Sequence, residues 1–384
     1  LFLTKDTHFF YFKIMKNSTI KFDFDDILVV PKVNTHITSR YKDIKLPKEL
    51  PLFAAPMDTV VNLNNMDVFL DNRINVTLPR TVGNDEFLYK IRGKNFAEYA
   101  KVFISLGFGD IEKHFKNNFK EFIEGQHILI DVANGHMYKV VDYAKEIKKL
   151  RPDLVIMVGN IGNPETYWWY AENNCVDYIR VGIGNGGGCL TTKQSGIGHP
   201  MASLIHETYL VKQRFIESNN VDIKHQNTLL RTKPVDGIPA IVADGGMKDF
   251  SDIIKAIALG ADYVMVGSIF NKALESCAPN YLYGVKVNQR IANHFFNKGY
   301  TVKKYFRGMS TKAAQKAMGK TDFKTSEGVV RYREVEYHLS GWVENFEHYL
   351  RNAMSYNNAK TLEEFVGKVE ICQITTRAYD RFNK

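Results

Sequence analysis

A closed (β/α)8 barrel is the fold this sequence predicts, and three observations predict it. Eight short runs of β-branched and apolar residues recur between residues 51 and 268. Segments with apolar residues at helical spacing separate them, and most of the runs end in a polar residue or a glycine. Strand, helix, strand in repetition implies parallel strands joined by crossovers. Eight units of such even spacing exceed the usual count of an open doubly wound sheet and suit a closed barrel.

In chain order, "PLFAAPM" (51–57) ends on Met57 and Asp58, and "INVTL" (74–78) and "KVFISL" (101–106) follow. "HILIDVA" (127–133) enters the turn from Asp131 to Gly135 and precedes the amphipathic "HMYKVVDYAKEIKKL". "LVIMVGN" (154–160) ends on Gly159 and Asn160; after it comes "NPETYWWYAENN", with Asn163 as a helix N-cap before Pro164. "YIRVGIG" (178–184) opens into a glycine-rich loop, and "AIVADGG" (240–246) precedes the helix-like "DFSDIIKAIALGA". "YVMVGS" (263–268) is the eighth run. Each polar strand end read alone is a tight βα turn. Together they should surround one pocket, because barrel active sites gather at the C-terminal ends of the strands.

Composition bounds the function. The chain has 384 residues, 45% hydrophobic and 24% charged, with a net charge of +9. The lysines are spread in pairs among acids, so the charge reads as a solvated surface that favours small anions, not a nucleic-acid interface. No apolar run reaches membrane-span length, which predicts a soluble protein without a membrane partner. The four cysteines, Cys175, Cys189, Cys277 and Cys372, include no CxxC pair and no zinc-finger spacing. Reduced thiols in a cytoplasmic setting are expected, with Cys175, Cys277 and Cys372 as buried small hydrophobes. "LFLTKDTHFFYFKI" lacks signal-peptide organisation, so residues 1–14 read as a non-native or disordered leader and residues 15–384 as a single barrel domain.

The densest signal is "RVGIGNGGGCLTTKQSGIGHP" (180–200), in which seven glycines crowd around Cys189. Glycine at that density points to close backbone approach or positive φ. "GIGNGG" satisfies GxGxxG formally, but more glycine, a cysteine and two threonines stand where a dinucleotide-binding helix should begin. The turns "ADGG" and "MVGS" after the last two strands are the better phosphate cradles, so a phosphorylated substrate is implied. Cys189, at the mouth of the expected pocket, is a candidate nucleophile.

The Cys189 loop with Thr191 and "SGIGHP" resembles the catalytic loop of the IMP dehydrogenase and GMP reductase family. "FDFDDILVVPK", "AAPMDTV", "ILIDVANGH", "VIMVGNI", "VADGG", "YVMVGS", "YFRGMS" and "SEG" (326–328) occur in that family's order, over residues 20 to 375. The resemblance implies that Cys189 attacks C2 of a purine nucleotide, with Thr191 and Glu327 as the proton-transferring pair. A soft thiolate suits an electron-poor carbon, and the group leaving it needs a proton. Read without the motif order, Thr191 would cap a turn and Glu327 would be a solvated acid. The resemblance further implies that Asp244 binds the ribose hydroxyls and that Gly245, Gly246, Gly267 and Ser268 hold the 5′-phosphate. Met57, Gly308, Met309, Ser310, Lys324 and Gly328 would complete the nucleotide site. Asp131, Arg80 and Ser310 would face a nicotinamide cofactor. It adds a monovalent cation, K+, on the carbonyls near Gly184, Gly186 and Cys189, and a homotetramer.

Within the family, two features favour the reductase branch, which converts GMP to IMP and ammonia with NADPH. The stretch from the second strand to the third leaves no room for the inserted regulatory (CBS) domains that dehydrogenases usually carry. The Arg-Tyr pair with which dehydrogenases activate water precedes their "EG" element, whereas Arg331 and Tyr332 follow Glu327 here. An IMP dehydrogenase using NAD, and a catalytically silent nucleotide-binding subunit, are the other readings; retention of Cys189, Thr191 and Glu327 together speaks against silence. Three departures stand out. Gly187 occupies the place of a serine whose hydroxyl reaches the phosphate, Lys324 stands where reductases tend to have arginine, and segment 210–237 is longer than the pattern.

Overall fold

The computed structural model describes residues 20–187, 189–220, 237–309, 311–317 and 330–382. The leader 1–14 and residues 221–236 of the long segment lie outside the described residues.

Eight parallel strands close into a barrel: β1 (Leu52–Ala54), β2 (Asn75–Leu78), β3 (Phe103–Leu106), β4 (His127–Asp131), β5 (Val155–Ile161), β6 (Tyr178–Val181), β7 (Ala240–Asp244) and β8 (Tyr263–Val266). Closure is made by β1 on β8, with Leu52 opposite Val264 and Ala54 opposite Val266. Every strand overlaps a predicted run; β5 runs one residue past its run, to Ile161, while five of the eight stop short. Met57, Gly182 and Gly246 lie beyond the strand ends, where they line the cavity.

The crossovers are α1 (Met66–Asp71), α2 (Asn84–Lys90), α3 (Phe108–Phe115), α4 (Tyr138–Leu150), α5 (Glu165–Asn173), α6 (Met201–Ser218) and α7 (Phe250–Ala258), with α8 (Leu339–Tyr356) packing after β8. Asn163 acts one residue earlier than expected of an N-cap: its Oδ1 accepts from the Glu165 amide at 3.1 Å across Pro164. Asp249 caps α7, its Oδ1 accepting from the Asp252 amide at 3.0 Å. The β2–β3 connection, residues 79–102, holds α2 and a short helix, Phe96–Tyr99.

The barrel is filled, not hollow. Phe53, Phe103, Leu129, Met157, Tyr178, Val242 and Met265 form its inner core. Phe103 meets Phe53 and Tyr178 edge to face, at 5.5 and 5.4 Å between centroids. Val76, Ile104, Ile130, Val158 and Val181 point outward into a second layer beneath the helices. Burial on both faces is why the strands read as continuous apolar runs.

Beyond β8 the chain builds a four-stranded antiparallel sheet that the sequence reading does not anticipate. Its strands, in spatial order, are Val285–Val287, Asn280–Leu282, Lys303–Arg307 and Val330–Glu334. Arg307 lies opposite Val330, so the segment between them leaves and returns at one end of the sheet. Arg331 and Tyr332 are exposed, with the Tyr332 ring edge-on to Tyr281 at 5.1 Å.

All four cysteines are free thiols. Cys175 is buried as expected; Cys277 is half-buried and donates to the Asp58 carbonyl at 3.3 Å, with burial pushing its thiol up to about 12. Cys372 corrects the expectation, because it is exposed. It lies on Ile371–Gln373, which among the described residues pairs only with Ile27–Val29, and so small a ladder covers one face at most. No helix among the described residues is long and apolar enough to cross a membrane.

Candidate functional site

One cavity of about 1090 Å³ opens at the C-terminal ends of the barrel strands. Met57, Arg80, Asp131, Gly184, Gly186, Cys189, Thr191, Asp244, Gly245, Gly246, Gly267, Ser268, Gly308 and Met309 all line it. Ser310, Lys324, Glu327 and Gly328 lie outside the described residues.

The glycines of the Cys189 loop have steric causes. At Gly182, a Cβ would sit 2.1 Å from the Asp244 carbonyl oxygen; at Gly184, whose φ is +81°, it would sit 1.8 Å from Thr192 Oγ1. Only glycine lets the loop fold back over the end of β7 and pass Thr192. The Cys189 amide donates to the Gly186 carbonyl at 2.8 Å, closing a tight turn. Cys189 Sγ then lies 3.1 Å from Thr191 Oγ1, at the start of the short helix Thr191–Ser195. A half-buried thiol with a hydroxyl in contact can attack an electrophilic carbon while the hydroxyl passes a proton at the same atom.

Beneath the loop, Arg180 of β6 joins two of the predicted site carboxylates, a role not assigned from sequence. Its Nη1 donates to Asp131 Oδ1 at 2.7 Å, and its Nη2 and Nε donate to Asp244 Oδ2 at 2.9 and 3.3 Å. Asn160 Nδ2 gives the same Asp244 oxygen a further bond at 2.8 Å and also donates to the Gly182 carbonyl at 2.7 Å. Burial alone would disfavour the guanidinium charge, but Asp244 and Asp131 outweigh it and raise its pKa. Among the described residues the three side-chain bonds to Asp244, from Asn160 Nδ2 and from Arg180 Nη2 and Nε, converge on Oδ2, which leaves Oδ1 as acceptor for a ligand hydroxyl. The signal in the sequence was a lone arginine inside the apolar run "YIRV".

His136 also lines the cavity, in one tautomer. The Gly162 amide donates to Nε2 at 3.0 Å, so Nδ1 carries the proton and donates to Thr166 Oγ1 at 2.8 Å. Burial lowers its pKa and keeps the ring neutral. At the mouth, Arg307 forms a two-pronged ion pair with Asp58, beside Met57. That pair fixes the strand that delivers Gly308 and Met309 to the cavity.

The remaining wall suits a second, anionic or amide-bearing ligand. Arg80 approaches Asp110 at 3.7 Å, and its buried Nε has no hydrogen-bond partner among the described residues. Its guanidinium occupies the space that a Cβ on Gly107 would need, 2.0 Å away. No group of three or more His, Cys, Asp or Glu among the described residues is placed to hold a metal ion.

The chain is similar to known proteins of one family. A family model described as the IMP dehydrogenase / GMP reductase domain matches residues 110–381. A protein of Caenorhabditis elegans named GMP reductase is 25% identical over 378 residues, covering 94% of each chain. One of that name from Onchocerca volvulus is 27% identical over 390 residues, covering 94% of this chain and 93% of its own. Another from Staphylococcus carnosus (strain TM300) is 31% identical over 264 residues, covering 66% of this chain and 72% of its own.

Proposed function

We propose, from the premise that this chain belongs to the IMP dehydrogenase/GMP reductase family, that it is an oxidoreductase catalysing reductive deamination of GMP to IMP and ammonia with NADPH, in purine nucleotide salvage. The observation that carries the reading is the 3.1 Å contact of Cys189 Sγ with Thr191 Oγ1 at the mouth of a cavity floored by Asp244. Relatives named GMP reductase support the reductase branch.

In this reading Asp244 Oδ1 accepts from the ribose hydroxyls while Oδ2 stays held by Arg180 and Asn160. The 5′-phosphate lies against the backbone of Gly245, Gly246, Gly267 and Ser268, and the base lies between Met57 and Met309. Cys189 adds as thiolate to C2 of GMP, forming a C–S bond. Thr191 and Glu327 deliver the proton with which the C2 amino group leaves as ammonia; Glu327 takes this role from the "SEG" motif. A reduced nicotinamide, when bound, supplies hydride to C2. The C–S bond then breaks and Cys189 recovers its electron pair as IMP forms. Arg80 fits that cofactor because its buried Nε lacks a partner among the described residues, and Asp131, held by Arg180, flanks it. Ser310 belongs to the same side, and Lys324 and Gly328 to the nucleotide side. K+ on the Gly184, Gly186 and Cys189 carbonyls is compatible with Gly186, whose carbonyl has a second lone pair beside its bond to the Cys189 amide.

Nothing in this cycle needs an activated water, and hydrolysis of the covalent intermediate would waste the nucleotide as XMP. The test is absorbance at constant GMP and NADPH with product analysis. The reading expects one ammonia and one IMP per NADPH oxidised; XMP formed rapidly from IMP and NAD would make the chain a dehydrogenase. A homotetramer and a cytoplasmic location rest on the family resemblance alone, and sedimentation and cell fractionation test them.

A further inference from the structure

Beside the Gly187 and Ser268 end of the cavity lies a guanidinium that the roles above do not use. Arg333, on Val330–Glu334, lies over the Phe306 ring with its Cζ 4.1 Å from the ring centroid, and its Nη1 donates to the Ser268 carbonyl at 3.2 Å. Its Nη2 is 3.7 Å from the point a Cβ on Gly187 would occupy, and Ser268 Oγ is 3.9 Å from that point. Gly187, Ser268 and the free edge of Arg333 therefore converge on one spot, and Gly187, Gly267 and Ser268 all line the cavity.

Arg333 has charge to spare there. Its cross-strand neighbour is Lys304, and the nearby Glu336 is taken by Lys272 at 2.7 Å. Among the described residues no ion pair to Arg333 is formed, and its one acceptor is the neutral Ser268 carbonyl. Burial, and after it the charge of Arg331, lower its pKa by more than Glu336 and Tyr337 raise it. A guanidinium has five N–H donors, and a half-buried one with a single acceptor favours the arrival of an anion.

Gly187 is also where the family pattern places a phosphate-reaching serine. We infer that Arg333 is a nucleotide-binding residue that grips the 5′-phosphate at the Gly187, Gly267 and Ser268 end of the cavity, replacing the hydroxyl missing at Gly187 with a charged fork. The inference rests on the reading that a purine nucleoside 5′-monophosphate occupies the cavity. The exchange makes recognition more dependent on phosphate charge, and therefore on salt, than a hydroxyl would.

The experiment is calorimetric titration of the full chain with GMP and with guanosine, alongside the kcat and KM for GMP. Arg333→Met keeps an apolar stem on Phe306 while removing the charge. It should weaken GMP binding by about 10- to 100-fold, the scale of a hydrogen bond to a charged group, with guanosine binding and kcat little changed. Adding Gly187→Ser should recover part of the loss, since a Cβ there makes only ordinary contacts. Arg331→Met, an exposed control with the same charge change, should move GMP affinity by no more than about two-fold. GMP affinity unchanged in Arg333→Met overturns this inference alone, as does an equal loss of guanosine, which would mark Arg333 as structural. A parent chain that binds neither GMP nor IMP overturns the functional reading and this inference with it.

Discussion

The Arg180 guanidinium meets the Asp244 carboxylate through two nitrogens on a single oxygen, Nη2 at 2.9 Å and Nε at 3.3 Å, and spends its remaining arm on Asp131. The ion is buried, so its loss would leave two carboxylates facing each other in a low-dielectric site. Arg180→Met should cost about 3 to 5 kcal/mol of stability, the usual scale for breaking a buried pair, and should weaken GMP binding through a misplaced Asp244. Arg180→Lys, which cannot fork, should recover stability better than binding. Thermal melts and GMP titration check both; a melt unchanged in Arg180→Met would deny the bridge its role.

Thr191 and Glu327 should fail together. Thr191→Ala and Glu327→Gln should each slow turnover by roughly 100-fold or more, as for loss of a positioned acid or base. In the proposed cycle they serve one proton transfer, so the double variant should be little worse than the poorer single. Multiplicative losses in kcat would mean that the two act on separate steps.

Arg331 and Tyr332 should be dispensable to chemistry. Both side chains are exposed on the outer sheet, where Tyr332 packs on Tyr281. Their alanine variants should change stability by about 0.5 kcal/mol or less and leave GMP-dependent NADPH oxidation largely intact. An XMP-forming activity that disappears in Arg331→Ala would reverse the choice of branch.

Asp252 makes stability depend on pH. Burial, with Asp249 adding to it, pushes its carboxyl up to about 6, although it accepts from the Lys248 amide at 2.8 Å. An unfolded aspartate titrates near 3.9, so between about pH 4 and 6 the folded chain holds a proton that the unfolded chain has lost. Stability attributable to this group therefore falls as pH rises through that window and stays low above it, by an amount on the order of 2 to 3 kcal/mol. Asp252→Asn keeps an acceptor for Lys248 and removes the titration. Its melting temperature should exceed that of the parent at pH 7 and converge with it near pH 4; parallel pH profiles would refute this.

The barrel was legible because parallel strands buried on both faces leave unbroken apolar runs, and because Asn163 marks a helix start with a side chain that does accept a first-turn amide. The Cys189 loop was legible because glycine has few other reasons to cluster. What the sequence hid was contact between distant strands. Arg180 finds Asp131 and Asp244 at separations of 49 and 64 residues, and nothing local at "YIRV" says which carboxylates it meets. The antiparallel sheet went unseen because two of its strands have three residues each and Lys304 is buried in a third, where alternation predicts no lysine. Cys372 misled because a cysteine in an apolar setting is usually covered, and its two-stranded ladder has no second layer.

The central claim is that Cys189 is the nucleophile, and the most direct measurement is turnover of Cys189→Ala set beside its affinity for GMP. The proposed phosphate and ribose contacts lie elsewhere in the cavity, so the variant should bind GMP within about three-fold of the parent while NADPH oxidation and ammonia release fall to background. In the parent, GMP should protect this one thiol from alkylation. Turnover that survives in Cys189→Ala would contradict the account.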